Sequence, residues 1–331
     1  MARATKRARQ AMKGATALWR AAWLPILNAI PAPSAAGRVI EVSDFGPNPG
    51  GLRMFVYAPP KRLPTGAPLI VVLHGCGQNA AAFARDSGWI ALAQRIGAAL
   101  LLPEQISKNN RGRCFNWFQP SDVRRGSGEA ASIWQMVRAA IRRYKSDQRR
   151  VFIVGLSAGA AMAAAMLAVY PATFAAGAVV AGMPVGAAYG SASALLRMRR
   201  GGWFTNRRTL AEAVRRAAPP TRNPRAWPRL SIWQGERDRL VDPRNAEALA
   251  AQWSAVHGFD EPPTAETSPR MGVRCRVWRT PKRVAVELWT IADMGHGFPI
   301  DAADSGREGF GISNVGLPAA RLIAGFWGID A

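Results

Sequence analysis

The sequence is poor in the residues that build metal sites, since it holds three histidines and three cysteines in 331 residues. No C-x-x-C pair occurs, and the histidines and cysteines show no zinc-ligand spacing. Beyond the amino-terminal region, no segment is long and apolar enough to span a bilayer. We therefore expect neither a bound metal nor a transmembrane span.

Acidic residues are also scarce, because 21 Asp and Glu face 44 Lys and Arg, which gives a formal net charge of +23. Such a charge attracts nucleic acids, anionic polymers and acidic surfaces. The arginines are scattered from Arg3 to Arg321, and no nucleic-acid-binding motif accompanies them. We expect no specific nucleic-acid binding. The positive charge either binds an anionic surface as a partner or is a compositional bias of the solvated surface.

The first 37 residues form a basic leader. Residues 2–13 are basic, and residues 21–33 are mostly apolar and precede small residues, a layout that resembles a signal peptide. Arg20, Pro25 and Asn28 interrupt the apolar run, so an amphipathic or disordered leader is the alternative. The first interpretation predicts an extracellular or periplasmic protein, and the second leaves the cytoplasm open.

Residues 38–331 alternate short apolar strands with helical segments, among them a strand over residues 69–73 and a helix over about residues 80–95. This alternation predicts one α/β domain with a doubly wound, mostly parallel sheet flanked by helices. Their length suits a single large core. Residues 184–228 break the alternation and are rich in Arg, Gly and Pro. We interpret them as a cap-like insertion over the site, with one helix near residues 210–217.

The pattern G-x-S-x-G places Ser157 between an apolar strand, residues 151–155, and a helix rich in small residues. The turn that carries such a serine is sharp, so Gly155 and Gly159 leave room for the backbone. This arrangement is typical of the nucleophile of an α/β-hydrolase. A glycine-rich turn without a catalytic role is the alternative.

A serine nucleophile needs a base, and the three histidines can be separated by position. In the α/β-hydrolase fold the base follows the nucleophile in the chain, which excludes His74. His257 follows a predicted helix, whereas His296 follows the predicted strand 284–290 in a glycine-flanked loop. Ligands and catalytic groups collect at the carboxyl ends of such strands. We predict His296 as the base, the alternative being a structural loop histidine.

The candidate acids lie in the loop after the predicted strand 230–233. This loop holds Glu236, Asp238 and Asp242. Asp242 precedes Pro243 and resembles the cap of the next helix. We therefore prefer Asp238 as the group that orients the imidazole.

An oxyanion hole requires two backbone N–H donors, one of them directly after the nucleophile, at Ala158. The second is expected in the loop after an early strand, where Gly75 and Gly77 permit a tight turn around Cys76. Together these residues predict a two-step acyl transfer that needs no metal or organic cofactor.

These residues resemble the esterase family of poly(3-hydroxybutyrate) depolymerases, which is similar to feruloyl and acetylxylan esterases. The resemblance covers nearly all of residues 41–328. It rests on the stretches FGPNPGGLRMFVYAP, VVLHGCGQNA, LLPEQ, RCFNWF, GEAASIWQMV, RVFIVGLSAGAAM, WQGERDRLVDPRN and MGHGFP. It implies a serine esterase, and it carries the family's triad and oxyanion donors onto Ser157, Asp238, His296, Cys76 and Ala158.

The same resemblance implies that Trp117 lines the active site and that Cys76 and Cys114 form a disulfide, the alternative being two reduced thiols. Ala160 stands where the family commonly has Gly, and the arginine-rich residues 197–208 put the substrate range in doubt. We recognise no polymer-binding domain, so we expect cleavage of hydroxyalkanoate oligomers or similar small esters. The alternatives are a feruloyl or acetylxylan esterase, a peptidase, or a basic binding protein with an inert site.

Overall fold

The computed structural model describes residues 38–59, 63–201, 206–220, 227–259 and 262–329. The leader predicted over residues 1–37 lies outside the described residues. Within the described ranges, every helix is too short or too polar to cross a membrane.

Twelve strands are described, and the central ones are continuously apolar or nearly so. Because both faces of these strands are covered by helices, no alternation of polar and apolar residues is needed along them. The strands are β1 Val39–Val42, β2 Arg53–Tyr57, β3 Leu69–Leu73, β4 Ala99–Glu104, β5 Val151–Leu156, β6 Ala176–Val180, β7 Arg229–Gly235, β8 Ala265–Arg270, β9 Val273–Arg279, β10 Val284–Ile291, β11 Phe298–Ile300 and β12 Ile312–Asn314.

Eight helices are described, and most connect successive strands. They are α1 Ala80–Asp86, α2 Trp89–Ile96, α3 Gly128–Tyr144, α4 Ala158–Val169, α5 Ser191–Arg199, α6 Arg207–Ala217, α7 Arg244–Val256 and α8 Ala319–Trp327. The helix α4 follows Ser157 directly, and all twelve of its residues are buried.

Ten strands form one sheet in the order β1-β2-β4-β3-β5-β6-β7-β10-β9-β8. The six inner strands from β4 to β10 are parallel to one another, and an antiparallel pair extends the sheet at each end. The parallel strands therefore present their carboxyl ends along one edge of the sheet. At one margin of the sheet, every residue of β8 is exposed.

The core lies on both faces of this sheet. Alternate residues of β3 point to opposite sides, so that Leu69 and Val71 join one apolar cluster while Ile70 and Val72 join the other. The helix α4 belongs to the first cluster and α8 to the second. This confirms the predicted α/β-hydrolase class with helices on both faces of a mostly parallel sheet.

Two features differ from the sequence-based prediction. The helix predicted over residues 80–95 is two helices, because Gly88 adopts a left-handed φ of 84° between α1 and α2. The antiparallel strands β8 and β9 had not been predicted. Within residues 184–228, the structure describes α6, which covers the helix predicted near 210–217, and also α5; residues 202–205 and 221–226 lie outside the described part of the chain.

Candidate active site

Ser157 sits at the carboxyl end of β5 in a strained backbone conformation, with φ 56° and ψ −118°. The neighbouring glycines make this turn sterically feasible. A Cβ at Gly159 would lie 2.5 Å from the carbonyl oxygens of Leu73 and His74, and one at Gly155 would collide with the Gly159 backbone. Strain of this kind, held by surrounding structure, is typical of functional positions.

The serine precedes the first residue of α4, so the helix presents its amino end beside the hydroxyl. Ser157 N–H donates to Val180 O at 2.9 Å, which anchors the turn to β6. Backbone N–H groups at a helix start favour developing negative charge.

Asp238 and His296 come together from loops after β7 and β10. His296 Nδ1 lies 2.7 Å from Asp238 Oδ2, and the Asp238 side chain is fully buried. Gly235 permits this approach, because a Cβ there would collide with the backbone of the loop that carries His296. Asp238 Oδ1 accepts the backbone N–H groups of Leu240 and Val241.

These contacts set the charge of the acid. Burial alone would raise the pKa of Asp238, but the hydrogen bond and charge of His296, followed by the Val241 and Leu240 N–H groups, bring it below its ordinary value. The carboxylate is therefore ionised at neutral pH. It can hold the imidazole in the tautomer that carries its proton on Nδ1.

The other nitrogen of the imidazole forms no hydrogen bond to the described residues. His296 Nε2 is buried and has no hydrogen-bond partner among the described residues. No hydrogen bond joins it to the Ser157 hydroxyl in this structure. Catalytic hydrogen bonds of this kind commonly tighten only when substrate binds.

Contacts between loops connect His296 to the serine turn. Phe298, two residues after His296, donates its N–H to Gly311 O at 2.8 Å. A Cβ at Gly311 would lie 3.2 Å from the Leu156 side chain, directly before Ser157. The histidine loop and the serine turn are thus packed through one intervening segment.

A small hollow opens directly over Ser157. Its lining includes the two candidate oxyanion donors and the aromatic residue singled out from the sequence; the residues are Cys76, Trp117, Ser157, Ala158, Met183, Met198 and Val241. Val241 also donates its N–H to Asp238, so it links the hollow to the acid–imidazole pair. Neither the Cys76 nor the Ala158 N–H donates a hydrogen bond to the described residues.

The loop that carries Cys76 is held from several sides. A disulfide joins Cys76 to Cys114, and Gly77 N–H donates to Gly112 O at 2.8 Å. Gly77 has a left-handed φ of 75°, which a glycine adopts without steric cost. These links fix the Cys76 backbone beside the loop that carries Trp117.

His74 lies under this loop with both nitrogens engaged. Its Nδ1 contacts Gly75 O at 2.7 Å, and its Nε2 accepts the Gln105 N–H at 3.1 Å. Burial, opposed by the Gly75 contact, lowers the pKa of His74 to about 4. The neutral ring braces the loop and is not placed to serve as a base for Ser157.

The other carboxylates considered for the acid point elsewhere. Asp242 Oδ1 accepts the N–H of Arg244, the first residue of α7, and the same carboxylate pairs with the Arg244 guanidinium at 2.6 Å. Glu236 lies 3.3 Å from Arg274 on the surface. Neither contacts His296.

Glu129 is a buried carboxylate that sequence reasoning missed. It accepts Gln105 Nε2 at 2.5 Å and both the backbone N–H and side-chain amide of Asn116 at 2.8 Å, next to Trp117. Burial raises the pKa of Glu129 to about 8, against the effect of these donors. A glutamate in the first turn of a helix is ordinarily exposed to solvent and interacts favourably with the helix dipole. The sequence signal was only its place in the GEAASIW stretch.

The described residues contain no group of three or more His, Cys, Asp or Glu side chains close enough to hold a metal ion. The site offers a hydroxyl on a strained turn, an imidazole held by a carboxylate, and two backbone N–H groups that donate no hydrogen bond to the described residues.

The fold, together with the groups at the carboxyl ends of its parallel strands, defines an α/β-hydrolase. The family model described as Esterase PHB depolymerase matches residues 52–273, and the chain belongs to that family. It is therefore an enzyme, a serine hydrolase of the esterase type that acts on carboxylic ester bonds.

Among similar proteins, a poly(3-hydroxyalkanoate) depolymerase C from Paucimonas lemoignei is 38% identical over 310 residues, which cover 92% of this chain and 73% of the relative. An acetylxylan esterase from Coprinopsis cinerea is 31% identical over 294 residues, which cover 87% of this chain and 75% of the relative. A solved acetyl xylan esterase from Aspergillus awamori superposes with a TM-score of 0.75 at 23% identity, over 88% of this chain and all of that one. The last similarity shows the fold alone.

Proposed function

We propose that the chain hydrolyses hydroxyalkanoate oligomers, or similar small carboxylic esters, through an acyl-enzyme formed on Ser157. In this mechanism His296 Nε2 accepts the hydroxyl proton while Ser157 Oγ attacks the ester carbonyl. Asp238 holds the imidazole and stabilises its protonated form. The Cys76 and Ala158 N–H groups stabilise the tetrahedral oxyanion.

Collapse of the tetrahedral intermediate breaks the ester bond, and protonated His296 returns its proton to the departing alcohol oxygen. A water molecule then attacks the acyl-serine as His296 takes its proton. When this second tetrahedral intermediate collapses, the bond to Ser157 Oγ breaks, His296 gives the proton to that oxygen, and the acid is released. The acyl group, the proton and the water are all accounted for without a metal or cofactor.

One observation carries the proposal: His296 is held by Asp238 through Nδ1, while its buried Nε2 has no hydrogen-bond partner among the described residues. The hollow that holds Ser157 with Cys76 and Ala158 supports the oxyanion assignment. The similarity to a poly(3-hydroxyalkanoate) depolymerase supports hydroxyalkanoate esters as substrates.

The test is a panel of hydroxyalkanoate, acetyl, feruloyl and peptide substrates at matched concentrations. It is run on the wild type, on Ser157→Ala and on a control, Ser305→Ala, whose hydroxyl bonds to Asp304. We expect Ser157→Ala to lower kcat roughly 10⁶-fold, because triad members act as a unit. The control should keep its activity. Full activity in Ser157→Ala would refute the mechanism.

The panel also decides the substrate. Highest kcat/KM for acetyl or feruloyl esters would replace hydroxyalkanoates with the acetylxylan or feruloyl esterase alternative, and cleavage of peptides alone would indicate a peptidase. No turnover, no fluorophosphonate labelling of Ser157 and a salt-sensitive association with anionic polymers would indicate an inert binding protein instead.

The Cys76–Cys114 disulfide further supports a proposed location in an oxidising compartment outside the cytoplasm. Mass spectrometry of the protein isolated from its own cells under alkylating conditions tests this. Two alkylated cysteines at these positions would place it in a reducing compartment.

A further inference from the structure

A larger cleft adjoins the hollow over Ser157, and the two meet at Trp117, whose side chain lines both. The cleft lies between the loop after Trp117, the loop around Gly186 and the end of α6. Its volume of about 390 Å³ is in the range of small-molecule sites. Trp117 is therefore a wall shared by the hollow over Ser157 and this larger cleft.

The walls of the cleft are mostly apolar. Val123, Ala188 and Ala217 line it together with Trp117, and Tyr189 stands at its rim with 75% of its surface exposed. A deeper part of about 230 Å³ continues along α4. Such walls suit an aliphatic ester chain, because apolar surface is removed from water on both partners.

The cleft is strongly basic at its mouth. Arg124, Arg125 and Arg216 line it, and none of its lining residues is acidic. Arg125 is anchored, since its guanidinium donates to Val169 O at 3.2 Å and lies 4.8 Å from the centre of the Tyr170 ring. Arg124 and Arg216 are exposed, and their side chains form no ion pair or hydrogen bond within the described ranges.

The nearest acidic side chains along the chain, Asp122 and Glu212, form no ion pair with these arginines. Asp122 Oδ1 accepts the N–H of Glu129 at 3.2 Å, and Glu212 pairs with Arg208 at 3.2 Å. An arginine with open donors binds a carboxylate through charge-assisted, commonly bidentate hydrogen bonds. The mouth of the cleft therefore offers two open guanidinium groups to an anion.

We infer that this cleft is a subsite for the carboxylate end of the substrate, bound by Arg124 and Arg216 with the adjoining chain along the apolar walls. The inference rests on the proposed esterase function and names its substrate class: esters whose alcohol portion ends in a free carboxylate. A linear hydroxyalkanoate oligomer has this property, because one end of the chain is a hydroxyl and the other is a carboxyl group. The carboxylate then belongs to the portion that departs when Ser157 is acylated.

The test compares the linear trimer of 3-hydroxybutyrate as its free acid with the same trimer capped as a neutral methylamide. Both carry the same ester bonds, so the difference in kcat/KM reports recognition of the carboxylate. The variant is Arg124→Gln with Arg216→Gln. The matched control, Arg142→Gln with Arg150→Gln, removes two exposed arginines from the last turn of α3 and the amino end of β5.

We expect the wild type to prefer the free acid at least about 10-fold at low ionic strength, with the preference falling as salt is added. The cleft variant should lose that preference mainly through a roughly 10-fold or greater rise in KM for the free acid, and its kcat/KM for the methylamide should stay within about two-fold. The control should behave as the wild type.

Equal kcat/KM for the two trimers in the wild type, or an unchanged preference in the cleft variant, would overturn the subsite while leaving the esterase function intact. A preference lost equally in the control would overturn it too, since general attraction by net charge would then explain it. If neither trimer is cleaved, the proposed hydroxyalkanoate activity itself fails, and Ser157 labelling separates this outcome from an inactive preparation.

Discussion

Reduction of the Cys76–Cys114 disulfide should destabilise the protein by an amount that follows from the length of chain it closes. The two cysteines are 38 residues apart, and the closed segment includes α1, α2 and the buried strand β4. Loop-closure entropy for this length corresponds to about 4 kcal/mol at 25 °C in the chain-entropy account. Spread over the 277 residues that the structure describes, a loss of this size lowers Tm by about 7 °C.

The disulfide should also affect catalysis, because Cys76 supplies one proposed oxyanion N–H. The contact of Gly77 with Gly112, and that of the Arg113 guanidinium with Gly77 O, remain after reduction and keep the two loops together. We therefore expect kcat to fall by less than the 10²–10³-fold that removal of a whole oxyanion donor typically costs. About 10-fold is the expected size.

The measurement is urea unfolding and ester turnover with and without dithiothreitol. A Cys76→Ala, Cys114→Ala double variant serves as the control, because dithiothreitol has no bond to break in it. The third cysteine does not interfere: burial, and then the Glu287 carboxylate, raise the pKa of the Cys275 thiol to about 12, so it is a poor nucleophile. Identical free energies of unfolding for oxidised and reduced wild type would refute the reasoning.

Three further predictions concern titratable groups. Asp238→Asn should lower kcat by roughly 10⁴-fold, as loss of the orienting carboxylate does in triads, whereas Asp242→Asn should cost stability of at most about 1 kcal/mol with turnover kept; equal losses of kcat in the two variants would contradict the assignment. Glu129→Gln replaces an acceptor of three N–H groups, so urea unfolding should show a loss of about 1–3 kcal/mol together with lower kcat/KM, while unchanged values would mean that the carboxylate does not position the Trp117 loop. Burial lowers the pKa of both His74 and His257 to about 4, so the folded state takes up protons less readily than the unfolded state, and each ring should lower the free energy of unfolding by up to roughly 3 kcal/mol as pH drops from about 6.5 to 4. Because the raised pKa of Glu129 acts in the opposite direction over this range, the measurement is an NMR titration of the two imidazoles, and titration midpoints near 6.5 would show that these rings are not buried neutral.

The central sheet could be predicted because its strands are short apolar runs with clear ends. Residues 69–73 were predicted as a strand and form β3 with the same bounds, since a strand buried on both faces leaves an unbroken apolar signature. The hairpin of β8 and β9 was missed for the opposite reason. β8 reads AETSPR and is exposed throughout, so nothing apolar marks it as a strand. β9 alternates buried Val273 and Cys275 with arginines, a period-two signal that was present in the sequence.

The candidate site was partly predictable because topology restricts where distant loops meet. Loops after parallel strands share one edge, so loops 58 residues apart could be expected to bring Asp238 and His296 together, and these two side chains are in contact in the structure. The walls contributed by Met183 and Met198, and the buried carboxylate of Glu129, could not be read in this way. Their positions depend on side-chain packing between elements that no local pattern encodes.

The exposed edge strand β8 affects how readily copies of the protein associate with one another. An outermost strand offers unpaired backbone groups to which a strand of a neighbouring molecule can add. β8 carries Pro269, which lacks an N–H, and the charges of Glu266 and Arg270 on a fully solvated surface. These residues disfavour the pairing of β8 with a strand of another molecule. Concentrated solutions of the protein should therefore resist fibril formation through this edge, although no helix covers it in the described part of the chain.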